Sequence, residues 1–229
     1  MDRLKENGFL DVDKILYTTP GLHEVPRELE RQLKRQLNNA KKVSKKVIVV
    51  YGSRCFVDSK DYSRTIDNLI EEEGVEVLRV NAANCIDMLS SGKEREEISR
   101  GKKIYWLSPG WLKHWKQIFK DWDRGLANET FPKNDKAILL NPIGAFDEYS
   151  AKYPEEILEF SDWMKIGIEP FKISLDRFKG LLSDCVIRDL EVQIEELKSR
   201  LPAHSVPPAM LQQLEDLEER LEGFKPKGG

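Results

Sequence analysis

Residues 46–55, KVIVVYGSRC, decide how the rest of this chain is read. The run Val47–Tyr51 is continuously apolar and mostly β-branched, the composition of a strand buried on both faces. A half-buried strand would alternate polar and apolar residues instead. Gly52 permits a sharp exit, and Ser53, Arg54 and Cys55 follow in the turn. In open α/β proteins the loops at the carboxyl ends of parallel strands are where sites are built.

Outward from this strand the same unit recurs. KILY (14–17) reads as a short strand, and Pro26 opens a helix whose Leu29, Leu33 and Leu37 recur at four-residue steps. Residues 61–73 form an amphipathic helix closed by Gly74, VEVLRV (75–80) a strand, and a helix opens near Asn84 or Cys85. KIYWLS (103–108) is a strand, followed by a helix from Pro109 to about Arg124. KAILLNP (136–142), the helix PEEILEFSDWMK (154–165) and a strand near 168–173 complete the alternation. This pattern predicts an α/β fold with a mostly parallel sheet and helices on both faces. Right-handed crossovers place the loops holding His23, Cys55, Asn84–Cys85, Ser108–Trp111 and Asn141–Gly144 on one edge of the sheet.

The pattern changes after residue 173, which divides an α/β domain (1–173) from a helical extension (174–229). Ile187, Leu190, Ile194, Leu197 and Leu201 form one heptad seam, and Met210, Leu214, Leu217, Leu221 and Phe224 form another. The intervening PAHSVPPA (202–209) ends one helix and starts the next, which predicts an antiparallel hairpin. Seams this short need support, so the hairpin packs on the α/β body or on a second copy in a homodimer. The tail KPKGG is expected to be disordered.

Composition excludes several classes. With 37 basic against 40 acidic side chains, the net charge of -3 argues against a general nucleic-acid binder. Lys41, Lys42, Lys45 and Lys46 read as the solvated end of a helix. No apolar stretch approaches the ~20 residues that span a bilayer, and MDRLKENGFLDVDK lacks the apolar core of a secretory signal. A cytoplasmic protein without membrane contact is expected. Three widely spaced cysteines do not make a disulfide framework. The chain has no phosphate-cradling glycine loop, no Gly-x-Ser-x-Gly nucleophile and no dinucleotide fingerprint.

The candidate site is His23, Cys55 and Cys85, each in a loop after an expected strand. Two thiolates and an imidazole suit zinc, iron or an iron–sulfur cluster, and three ligands leave a fourth position open. Cys85 at a helix N-terminus is expected to have a lowered pKa. The competing reading makes both cysteines small packing residues and His23 a satisfied loop histidine, because no short-range Cys-x-x-Cys pair is present. Arg54 offers a partner for an anionic ligand or for a carboxylate. Trp111, with Trp115, Phe119 and Trp122, forms an aromatic helix face that suits a core or partner contact, or the wall of a cofactor pocket. Asp58 and Asp61 read as turn and cap residues.

The segments PGLHEVPRELERQL (20–33), VVYGSRC (49–55), NAANCIDMLSSGKE (81–94) and YWLSPGWLKHW (105–115) resemble domain-of-unknown-function family 1638 of anaerobic archaea and bacteria. The likeness spans roughly residues 14–170, and the hairpin lies outside it. It implies a metal-binding protein associated with corrinoid methyl-transfer systems, with His23, Cys55 and Cys85 as ligands. The sequence departs from the family pattern in three places. No cysteine-containing turn precedes the GLH segment, Phe56 stands where glycine is common, and Asn84 stands where aspartate is common. Three functional expectations follow. They are a metal-dependent catalyst or accessory to a corrinoid-system protein, acting on a small molecule; a scaffold that uses the C-terminal hairpin; and a metal-free reactive thiol at Cys85.

Overall fold

The computed structural model describes residues 1–22, 25–58, 60–74, 77–202 and 204–224 of a mixed α/β chain with small parallel sheets. His23 and the KPKGG tail lie outside the described residues. The opening apolar run forms β1 (Val47–Val49), which pairs in parallel with β2 (Val77–Arg79) in the register Val47↔Val77. Val47, Val49 and Tyr51 face Leu29, Leu33 and Leu37 of α2 (Pro26–Lys41) and Ile66, Leu69 and Ile70 of α3 (Ile66–Glu72). Ile48, Val50 and Leu78 pack instead with Leu4 of α1 (Asp2–Glu6), Met88 of α4 (Cys85–Leu89), and Leu182 and Cys185 of α10 (Asp176–Ser199). Burial on both faces is what an uninterrupted apolar strand demands.

After α5 (Gly92–Ser99) a second sheet forms, in the order β3 (Ile104–Leu107), β4 (Lys136–Asn141), β5 (Ile168–Lys172), again parallel throughout. One face of it meets α6 (Pro109–Ile118) and α9 (Pro154–Met164) through Leu107, Ala137, Leu139, Trp115, Phe160 and Met164. Helices α7 (Arg124–Thr130) and α8 (Ala145–Lys152) complete the connections. Helix α11 (Pro208–Phe224) lies against α10, and Leu190, Ile194, Leu197 and Leu217 close a core between them. Leu182 and Cys185 join the α/β core, so α10 begins inside the body and leaves it. Asp189, a buried carboxylate, meets Lys46 at the start of β1.

Several expectations are corrected. The described strands form two separate hydrogen-bonded sheets instead of one. KILY (14–17) is not a strand, since no strand among the described residues pairs with it, and side chains bond to carbonyls at and before it. Gln36 Nε2 donates to the Tyr17 carbonyl (2.6 Å), and Lys5 Nζ donates to those of Val12 and Asp13. A cavity of about 530 Å³ separates this segment from β1 and α2. The helix expected at 61–73 starts at Ile66, since Asp61 accepts hydrogen bonds from the Ser63 amide and hydroxyl and Thr65 supplies a capping box with Asn68. The helix from Pro109 stops at Ile118, and Asp123 caps a new one by accepting the Leu126 amide at 2.7 Å.

Candidate thiol and metal site

The site is built by two loops that bind each other. The strand β1 exits at Gly52, β2 exits at Asn81, and their parallel pairing brings both exits to one edge. There the Ser53 amide donates to the Ala82 carbonyl and the Arg54 amide to the Ala83 carbonyl, both at 2.9 Å. This approach leaves no room for a side chain at position 52. A Cβ on Gly52 would lie 2.3 Å from the Ala83 carbonyl oxygen and 2.5 Å from the Asn84 Cα. The glycine is therefore required for contact between loops as well as for the turn.

The zipped loops set Cys55 beside Cys85. The backbone amide of Cys85 and the charge of a Cys85 thiolate are both felt at the Cys55 sulfur. Cys85 is the first residue of α4, which Asn84 caps by accepting the Asp87 amide at 2.9 Å. Asp87 reaches back to accept the Ala83 amide at 3.0 Å. Arg177 of α10 donates to the Asp87 carbonyl at 2.7 Å and so pins α4 from below. The Ser108 hydroxyl, at the carboxyl end of β3, is near enough to favour a charged Cys85 sulfur and so brings the second sheet to the site.

Both thiols titrate upward, which overturns the expectation of a lowered Cys85 pKa. At Cys55 burial dominates, with backbone amides of Gly52 and Cys85 and the Arg79 charge pulling weakly the other way. At Cys85 loss of hydration again outweighs the Ser108 hydroxyl and the helix amides. Cys85 counts as exposed by its whole-residue surface, yet the chain around its sulfur is dense enough for desolvation to lead. One short helix of five residues offers too little dipole to reverse this. A reactive Cys85 thiolate at neutral pH is not what this environment favours.

Arg79 was not singled out by the sequence, although it positions the site. Its guanidinium donates to the carbonyls of Tyr51, Val80 and Ala82 at 3.3, 2.6 and 3.3 Å and pairs with Asp67. It thus ties the exits of both strands together beneath the thiols. Its signal in the sequence is a charged residue inside the apolar run VEVLRV.

The remaining candidates are placed differently. Arg54 is exposed beside Cys55, and no hydrogen bond or ion pair of its side chain is seen among the described residues. Trp111 is half-buried against Tyr105 and Phe119, with ring centroids at 6.2 and 5.1 Å. It belongs to the aromatic core with Trp115, Trp122, Phe131 and Trp163. The Asn141–Gly144 loop is held by its own bonds to α8, Asn141 Oδ1 accepting the Phe146 amide at 3.2 Å. Asp58 and Asp61 do serve turns, and Cys185 is fully buried packing.

Two thiols on one pair of loops suit a soft metal ion by donor type. Among the described residues no group of three or more His, Cys, Asp or Glu side chains converges to hold a metal.

Fold and site together define a parallel α/β protein with a thiol pair at the carboxyl edge of its first sheet. The chain belongs to the family described as protein of unknown function (DUF1638), whose model matches residues 17–182. The match runs past the expected limit near residue 170 and takes in β5 and the first turns of α10. No curated protein and no solved structure matches the chain. Among the described residues no helix is long and apolar enough to cross a membrane.

Proposed function

We propose that the chain binds a thiophilic metal ion, zinc or iron, through Cys55 and Cys85, with His23 as third ligand. The observation that carries this reading is the mutual hydrogen bonding of loops 52–55 and 82–85, which brings two thiols from distant sequence positions together. Three protein ligands leave a position for a substrate or a water molecule. A bound metal would supply Lewis acidity and a lowered pKa to whatever occupied that position. The chain's own residues surround it: the Ser108 hydroxyl stands by the Cys85 sulfur, Arg79 fixes both loop bases, and Arg54 stands ready for an anionic group. A small-molecule partner, or an accessory role beside a corrinoid methyl-transfer protein, is the context that family resemblance favours. Because both thiols are protonated at neutral pH without metal, loading releases protons and strengthens as pH rises.

Metal analysis of anaerobically purified protein tests this. The expected result is near-stoichiometric zinc or iron that falls at least tenfold in Cys55→Ser and in Cys85→Ser. Less than ~0.2 metal per chain, unchanged in both variants, ends the proposal.

A second reading is a scaffold that uses α10 and α11 as an antiparallel hairpin to form a homodimer. Val192 and Leu211, 55% and 46% exposed, favour it by presenting apolar surface on those helices. Solution mass of the full chain against Val192→Asp/Leu211→Asp decides it, since a monomer in both excludes dimerisation through that surface.

A further inference from the structure

Metal ligation needs both sulfurs reduced, and the same geometry that joins them as ligands also brings them within reach of each other. Cys55 lies one residue beyond Arg54 and Cys85 two beyond Ala83, the pair whose amide and carbonyl join the two loops, and the Cys85 amide is felt at the Cys55 sulfur. A disulfide needs Cα atoms ~4.4–6.8 Å apart and Cβ atoms ~3.5–4.5 Å apart, so it is confined to cysteines on directly neighbouring segments such as these two loops. The two loops are held in place by the Ser53–Ala82 and Arg54–Ala83 hydrogen bonds, so little backbone movement is required. The pair is also asymmetric. Cys85 is exposed and Cys55 is half-buried, while Cys185, the remaining cysteine, is sealed in the core.

We propose that Cys55 and Cys85 form a reversible intramolecular disulfide by exchange with a low-molecular-weight disulfide, Cys85 attacking first and Cys55 resolving. In the first step the Cys85 thiol gives its proton to water and the minor thiolate so formed attacks one sulfur of RSSR, forming a mixed disulfide and releasing one RS⁻, which takes up a proton. In the second, the deprotonated Cys55 sulfur attacks the Cys85 sulfur, forming Cys55–Cys85 and releasing the second RS⁻. Both cysteines are oxidised, RSSR is reduced to two RSH, and the two thiol protons leave with the products. Oxidation removes both donors at once, so the inference rests on the metal reading only for its consequence, which is control of metal loading by the thiol–disulfide balance.

The test uses the full-length, metal-free protein incubated with oxidised glutathione, followed by denaturation, alkylation and intact mass. The expected product has lost two hydrogen atoms, carries no glutathione and takes up one alkyl group, at Cys185. Cys55→Ser is expected to retain one glutathione on Cys85, because the resolving thiol is gone. Wild-type protein that keeps glutathione on Cys85, or that leaves Cys55 and Cys85 both open to alkylation, overturns the proposal. Oxidised and reduced protein are then offered zinc alone. At least a tenfold loss of uptake on oxidation establishes the control over loading. Disulfide formation in a protein whose reduced form takes up no zinc sustains the thiol pair and rejects the metal reading. Zinc uptake by reduced protein with no disulfide under oxidised glutathione does the reverse.

Discussion

Gly52 shows how one residue can carry a site without touching a ligand. Any side chain there would overlap the Ala83 carbonyl and the Asn84 backbone, neither of which can turn aside as a flexible side-chain tip could. Gly52→Ala is expected to cost about 1–3 kcal/mol, the usual range for forced overpacking, read from urea unfolding. It is also expected to lower metal content by separating the loops. Wild-type stability together with full metal content would show that the loops meet by other means. Arg79 acts at the same scale. Arg79→Met keeps the apolar stem but removes the guanidinium that bridges the Tyr51, Val80 and Ala82 carbonyls, the last two of which keep backbone donors, so loss of metal with the fold retained, judged by circular dichroism, is the expected outcome. That the loops of Cys55 and Cys85 share one edge of a sheet was legible in the sequence, because turn residues follow apolar runs that pair in parallel. Arg79 and Ser108 were harder to assign, because their roles depend on which carbonyl or sulfur the tertiary contacts bring within reach.

At the scale of elements, α2 and α3 are joined by a charge cluster around Arg64, which pairs with Glu30, Asp58 and Glu72 at 2.6, 3.1 and 2.8 Å. Hydrogen bonds from Arg64 and Lys34 hold the Glu72 carboxyl at about 2 instead of 4.5, and Glu30 and Asp58 also lie below their usual range. Carboxylates whose folded pKa is depressed stabilise the fold above the unfolded value and cease to do so as pH falls through the folded one. Stability is therefore expected to decline between about pH 4.5 and pH 2, and Arg64→Met is expected to flatten that decline. A urea-midpoint profile against pH checks this, and equal slopes in both proteins would refute it. The groups are partly open to solvent, so added salt should weaken the effect. Helix ends follow the same logic of local bonds. Asp123 and Thr65 stop or start helices where hydrophobic spacing alone suggested continuity, because a cap acts through two or three atoms that periodicity does not register.

For the whole molecule, the large aromatic side chains gather where the second sheet meets α6 and α9. Phe160 is fully buried and stacks on Trp115 with centroids 4.9 Å apart. Phe160→Ala is expected to cost about 3–5 kcal/mol by cavity formation, whereas Leu217→Ala in the α10–α11 core should cost about 2–5 kcal/mol. Chemical unfolding followed by tryptophan fluorescence separates the two, because the tryptophans lie in the first region and none lies in α10 or α11. If Leu217→Ala shifts the fluorescence transition as much as Phe160→Ala, the helical pair and the body unfold as one cooperative unit. The continuity of α10 from Leu182, inside the body, to Leu197, outside it, makes that coupling physically direct.

What the sequence determined by itself was the set of units. The apolar run at 47–51 dictates a doubly buried strand, the strand–helix alternation dictates parallel pairing, and the leucine spacing of residues 190–217 dictates the helical seam. These follow from local periodicity and from the burial of apolar surface, which any stretch of chain expresses through its own composition. Tertiary structure alone decided that the strands divide into two sheets and that residues 14–17 are held by side chains instead of a neighbouring strand. It also decided that the thiols of Cys55 and Cys85 lie together with raised pKa values. Each of these depends on which groups from distant parts of the chain compete for the same backbone carbonyl or displace the same water. That competition is settled only when the loops have closed on each other at Gly52.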